Sequence, residues 1–155
     1  MLRKVIIQGS PFERGRHYGQ QVADLDRKGV DFYVDMWETS TGRTRGALLD
    51  IIGRFAEPIG NFDGDILAEI EGLADGSQLS VPELLVVNGR YEIMLSTVFA
   101  AEPQRMAECT SIGADAEVTS GGHTILGQNW DWVVPVRDVS VVLEVQQENA
   151  PDLIT

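Results

Sequence analysis

The chain has 155 residues, 43% hydrophobic and 23% charged, with a formal net charge of −12. This is enough for about one globular domain with a sizeable core. The charge disfavours nucleic acid and anionic membrane as partners, because both would repel it, and its spread along the whole chain reads as solvated surface.

No apolar run approaches the ~20 residues that a bilayer span requires. The start, Met1-Leu-Arg-Lys-Val-Ile-Ile-Gln8, carries two basic residues but a very short apolar stretch. A secretory signal would have an apolar region of roughly 7–15 residues. A single cysteine, Cys109, can form neither an internal disulfide nor a thiolate-rich zinc site. It fits a reducing compartment, and a cytoplasmic location is expected.

Lys4 to Gln8 is β-rich and runs into Gly9-Ser10-Pro11, predicting a strand and a turn. Glu13 to about Glu38 has no proline, and its apolar residues from Tyr18 to Trp37 fall near helical spacing. Gly15, Gly19 and Gly29 weaken that pattern and allow a break. Residues 39–43 read as a loop. A second helix is expected from Ala47 to Phe55, stopped near Pro58. A third opens at Asp63-Gly-Asp65 and ends at Gly76. Ser80-Val-Pro-Glu83 is a capping box for a fourth, reaching about Val98.

The character changes at Cys109. Cys109 to Ala114 reads as a strand, and His123 to Trp132 as a second, entered through Gly121-Gly122. In a third, Val139, Val141, Leu143 and Val145 share one face. Residues 148–152 form a turn, and Leu153-Ile-Thr155 begins another strand. The fold class is therefore α+β: a mainly helical segment, 1–108, then antiparallel strands over 109–155. Such a sheet lacks a closing partner and leaves an open edge, so the chain is expected to be truncated.

Cys109 stands at the junction, after an exposed polar loop. Its thiol could attack the carbonyl of Glu108 in an N→S acyl shift, leaving Cys109 at a new N-terminus. The freed α-amine, with an ordinary pKa of about 7.7–8.0, could serve as general base for its own side chain. An ordinary structural cysteine is the alternative. Asp131 lies 22 residues on, within Gln128-Asn-Trp-Asp-Trp132, and a hairpin would bring it beside Cys109 to orient a thiol or an ammonium group. Trp130 and Trp132 are candidates for a substrate pocket, and are expected on opposite faces of an extended strand. The alternative is aromatic packing in an ordinary hairpin. His17 and His123 read as surface or packing residues. No metal-ligand spacing and no phosphate-binding glycine loop occurs, so neither metal nor cofactor is expected.

Several segments together resemble the penicillin acyltransferase family, cysteine peptidase family C45. They are Gly9-Ser-Pro-Phe-Glu-Arg-Gly15-Arg-His-Tyr-Gly19, Glu69-Ile-Glu-Gly72-Leu-Ala-Asp-Gly76, Asn88-Gly-Arg90-Tyr-Glu92, Cys109-Thr-Ser, and Gly127-Gln-Asn-Trp-Asp131. The resemblance implies an N-terminal-nucleophile (Ntn) αββα fold, incomplete here, made as a zymogen that cleaves itself between Glu108 and Cys109. Residues 1–108 would be the propeptide or small subunit, and Cys109 onward the start of the large one. The product would be a hydrolase or acyltransferase acting on amide bonds through a Cys109 thioester, with Asp131 supporting the nucleophile. Its substrate would be a small amide or an acyl-CoA-type molecule. The family's oxyanion asparagine and a further arginine have no counterpart here, and Glu108 departs from the small residue found before the cysteine in the penicillin enzyme. An uncleaved, non-catalytic relative or binding module is the competing expectation. A Cys/His thiol protease, needing His17 or His123, is a third.

Overall fold

The computed structural model describes residues 2–97, 109–147 and 151–155, with backbone alone for 94–97. Strand β1 (Arg3–Gln8) leads into six helices: α1 (Pro11–Thr41), α2 (Arg45–Ile52), α3 (Ala56–Phe62), α4 (Gly64–Ser77), α5 (Val81–Asn88) and α6 (Arg90–Thr97). Strands β2 (Thr110–Ala114), β3 (Ile125–Asn129), β4 (Val141–Gln146) and β5 (Leu153–Ile154) follow. The architecture is α+β. β2 pairs antiparallel with β3, and β4 with β5. β1 joins β4 in parallel, Val5 opposite Leu143 and Ile7 opposite Val145, so the second sheet runs β1-β4-β5. Among the described residues, no helix is long and apolar enough to cross a membrane.

Two capping boxes of the same form start α1 and α5. The hydroxyl of Ser10 accepts from the Glu13 amide, and the Glu13 carboxylate accepts from the Ser10 amide at 2.9 Å. Ser80 and Glu83 repeat this at 2.8 Å. Each box satisfies donors that the first helical turn leaves without partners. The first box turns the expected Gly9-Ser10-Pro11 turn directly into a helix start, with Pro11 in the first turn, where its missing N–H costs nothing.

Helix α1 is long enough to serve two cores. Its first half lays Tyr18, Val22 and Leu25 over Val5, Ile7, Val141, Leu143 and Val145 of the sheet. Its second half carries Val30, Tyr33, Val34 and Trp37 into a cluster with Leu48, Ile52, Leu84, Leu85 and Ile93. The helix is kinked at Val22 (φ −131°, ψ 17°), within its first half and not at a glycine.

The glycines have a different task. Gly15 and Gly19 of α1 meet Gly72 and Gly76 of α4, so the two backbones touch. A methyl at Gly15 would overlap the Glu69 carbonyl, one at Gly72 the Phe12 carbonyl, and one at Gly76 the Arg16 carbonyl. At Gly19 it would stand 2.6 Å from the Leu73 oxygen. Arg14 and Glu69, 2.7 Å apart, and Arg16 and Asp75, 3.1 Å apart, bridge the same helix pair.

Helix ends differ from the expected ones in four places. α1 continues to Thr41 and stops at Gly42, which is left-handed (φ 67°), so the expected loop at 39–43 is mostly helix. Pro58 does not stop the second helix. It sits in the first turn of α3, after a 3-10 turn at Gly53–Phe55. α4 passes Gly76 to Ser77 and is closed by Gln78 in the left-handed region (φ 58°). Val98, the expected end of the helix after Glu83, lies outside the described residues. Gly89 instead separates α5 from α6.

Candidate active site

Four of the residues singled out from sequence, Cys109, Trp130, Asp131 and Trp132, fall around one hairpin. Register pairs Thr110 with Asn129 and Ala114 with Ile125. Cys109 immediately precedes Thr110, and Trp130 and Asp131 immediately follow Asn129. The hairpin therefore brings the two candidate groups to the same end of the ladder. Cys109 is a free, exposed thiol just before β2. Asp131 is exposed just after β3. Among the described residues no hydrogen bond joins them. Glu108 lies outside the described residues.

The expected strands are shorter than their sequence limits. β2 begins at Thr110, and β3 ends at Asn129, before both tryptophans. Beyond it the chain turns inward to the helices. The indole N–H of Trp132 donates to the Tyr33 hydroxyl at 2.7 Å. The Arg90 guanidinium lies 5.6 Å from the Trp132 ring and 5.3 Å from the Tyr91 ring. Trp130 stacks on Trp132 with ring centroids 6.4 Å apart and planes 8° from parallel. The two indoles thus lie together, correcting the opposite-face expectation. In an extended chain residues i and i+2 share a face, so the two-residue period itself argues against that expectation.

Tyr33, Arg90 and Tyr91 were not linked to the site by sequence reasoning. Arg90 lies within the Asn88-Gly-Arg90-Tyr-Glu92 segment, which is the signal that could have pointed to it. It is half-buried, donates to the Val87 carbonyl at 2.7 Å, and keeps a buried Nε with no acceptor. Its role in the geometry is to hold Trp132, and with it the chain on either side of Asp131, against α6. Burial pushes the Tyr33 hydroxyl above its ordinary value, opposed by its bond to Trp132 and the nearby Arg90 charge.

His17 and His123 are both exposed. Neither bonds to Cys109, so the described contacts build no Cys/His pair. Among the described residues no group of three His, Cys, Asp or Glu side chains could hold a metal ion.

The hairpin is thinly covered. Ile112, Ile125 and Leu126 are 73%, 58% and 81% exposed, so apolar side chains line both of its faces without a layer against them. A two-stranded hairpin on its own is marginal in water.

No family model matches the chain. Over 149 residues it is 26% identical to the acyl-coenzyme A:6-aminopenicillanic-acid-acyltransferase 40 kDa form of Emericella nidulans. The match takes in 96% of this chain and 39% of the relative, so the chain spans about two-fifths of the length of the curated relative it matches. Along nearly its whole length, the chain is penicillin acyltransferase-like in sequence.

Proposed function

We propose that this chain is the N-terminal part of a self-processing Ntn-type acyltransferase or amidase, with Cys109 as nucleophile. The observation that carries the reading is the similarity to an acyltransferase over 96% of the chain, a span that takes in the hairpin bearing Cys109 and Asp131. Residues 1–108 form the propeptide or small subunit, and Cys109 opens the large one.

Processing begins when the Cys109 sulfur attacks the Glu108 carbonyl carbon. The C–N bond breaks, the departing nitrogen takes a proton, and Glu108 is left as a thioester on Cys109. Water then hydrolyses the thioester, giving a Glu108 carboxylate and a free Cys109 with its own α-amine. That amine, with an ordinary pKa of about 7.7–8.0, can take the thiol proton at neutral pH. In turnover the sulfur attacks a donor acyl carbonyl, from an amide or an acyl-CoA-type thioester. The leaving amine or thiol takes the proton, and the acyl group passes from sulfur to an acceptor amine or to water. Asp131, at the same end of the hairpin, holds the ammonium or thiol in place, and Trp130 and Trp132 supply an apolar wall for the acyl group.

Intact mass of the purified product of the complete reading frame tests this. The wild type should give two species split between Glu108 and Cys109, and Cys109→Ala one uncut species with no turnover. A single uncut wild-type species would favour the uncleaved, non-catalytic relative. Loss of activity in His17→Ala or His123→Ala with processing intact would favour a Cys/His protease.

A further inference from the structure

A cavity of about 510 Å³ lies between the sheet and the helices. Ile7 of β1, Val30 of α1 and Leu84 of α5 are buried and form its floor, with Leu73 of α4 and Leu143 of β4 half-buried in the same wall. Ile66 and Asn88 also line it and are exposed, so solvent reaches the wall at these two residues. The volume is in the range of small-molecule sites, which are mostly apolar with a few placed polar groups. None of the residues proposed for acyl transfer lines it.

The charge of an occupant follows from what the wall does not offer. Among the described residues no lysine, arginine or histidine lines the cavity, so an anion would find no counter-charge. Two carboxyl groups line it, and neither is placed to receive a cation. Glu69 is already held by Arg14, at 2.7 and 3.2 Å. Asp26 has its Oδ2 sealed from solvent. Burial, with the neighbouring Asp24 charge, pushes the Asp26 carboxyl up to about 7, so in mildly acidic solution it keeps its proton and presents no fixed charge. An ion of either sign would give up its water on entering and gain no partner, which is costly. The rest of the polar wall is neutral. Burial and Asp26 push the Tyr18 hydroxyl up to about 12, and the Asn88 amide, on the open side, can both donate and accept.

We propose that this cavity binds an uncharged molecule with an apolar body, the body lying against Val30, Leu73, Leu84 and Leu143 and a neutral hydrogen-bonding end turned towards Asn88. Apolar side chains from both the sheet and the helices favour a hydrocarbon, and the lack of a free counter-charge selects against its ionised counterparts. Nothing in this assignment depends on Cys109 or on self-cleavage.

Calorimetric titration of the complete reading frame's product at about pH 6 tests the site with three ligands of one shape: phenylbutanol, phenylbutyrate and phenylbutylamine. The alcohol should bind saturably. The anion and the ammonium should each bind about tenfold or more weaker, the margin expected when a charge is desolvated without a partner. This comparison is made on the unaltered protein and needs no variant to fold. Ile70→Trp and, separately, Leu143→Phe add bulk to the wall, and each should weaken the alcohol. No saturable binding of the alcohol, an ionised ligand binding as tightly as the alcohol, or an alcohol affinity unchanged in both variants would each overturn the assignment. Cys109→Ala should bind as the wild type does, so a failed acyltransferase reading would leave this result standing.

Discussion

The α1–α4 pair and the Cys109 hairpin are opposite extremes of packing in one chain. In the first, four glycines let two helix backbones touch, two ion pairs span the contact, and a capping box fixes the start of α1. In the second, two five-residue strands pair with each other, with Ile112 and Leu126 largely exposed. The candidate chemistry belongs to the second region and the rigidity to the first. What connects them is a short aromatic path, Trp130 to Trp132 to Tyr33, braced by Arg90. A group that must reach a substrate needs an open surface, and a pinned tryptophan beside it limits its motion without covering it.

The sharpest way to break this contrast is to place one methyl in each region. Gly72→Ala would drive a carbon into the Phe12 carbonyl. The helices must separate, at a cost of about 3 kcal/mol, read as a lower denaturation midpoint. Gly113→Ala in β2 would meet only the end of the Leu126 side chain at 3.4 Å, and should cost less than about 0.5 kcal/mol. Similar losses at the two positions would contradict the division between a rigid and an open region.

The same glycines mark how far local sequence rules reach. Period and caps locate β1, most of α1, α4 and the Ser80 capping box, because local hydrogen bonding and amphipathic spacing decide them. Gly15 and Gly19 count against a helix on propensity alone. Their value lies in backbone approaches to a distant helix, Gly15 to Glu69 and Gly19 to Leu73, which no local rule sees. Pro58 was misplaced for a related reason: a proline that ends one helix can also sit harmlessly in the first turn of the next. At the site, hairpin spacing brings Asp131 and Cys109 to one end of the ladder. Tyr33 was out of reach, since its partner Trp132 lies 99 residues on.

Trp132→Phe tests the connection between the regions. It deletes the bond to Tyr33 and weakens the Arg90 stacking, a loss of about 1–2 kcal/mol. Tryptophan fluorescence should show Trp130 freed from its stack. If the pinning of this segment holds Asp131 in place, self-cleavage of the full-length product should slow as well.

Asp26 weakens the rigid region and should reveal itself through pH. Burial, with the neighbouring Asp24 charge, pushes its carboxyl up to about 7. Between an unfolded pKa of ~4 and this folded value, the unfolded chain has lost the proton while the native one keeps it. Stability therefore falls as pH rises through that window. Asp26→Asn should stabilise the protein by about 1–2 kcal/mol near pH 8, allowing for the solvent that still reaches the group. The gain should vanish below pH ~4. Glu83 has the opposite sign. Burial would raise its carboxyl, but bonds from the Ser80 amide, Arg45 and the Ser80 hydroxyl hold it at about 2. Its contribution is complete above the ordinary carboxylate range and lost as pH falls through about 2. Glu83→Gln should cost about 1 kcal/mol at neutral pH, and the difference should shrink in acid.

The smallest effect is the most informative about the hairpin. Ile112 is 73% exposed, so Ile112→Thr in this 155-residue chain removes almost no buried apolar surface. It should change the denaturation midpoint by less than about 0.5 kcal/mol. In the product of the complete reading frame the same substitution has a different expected value. In the proposed αββα sandwich a second sheet would lie against the β2–β3 hairpin, and burying this side chain there would raise the cost to about 1–2 kcal/mol. The difference between the two measurements would read how much of Ile112 the proposed further chain covers. Equal small effects would mean that the hairpin stays open in the longer protein, and the sandwich reading of the fold would fall with that result.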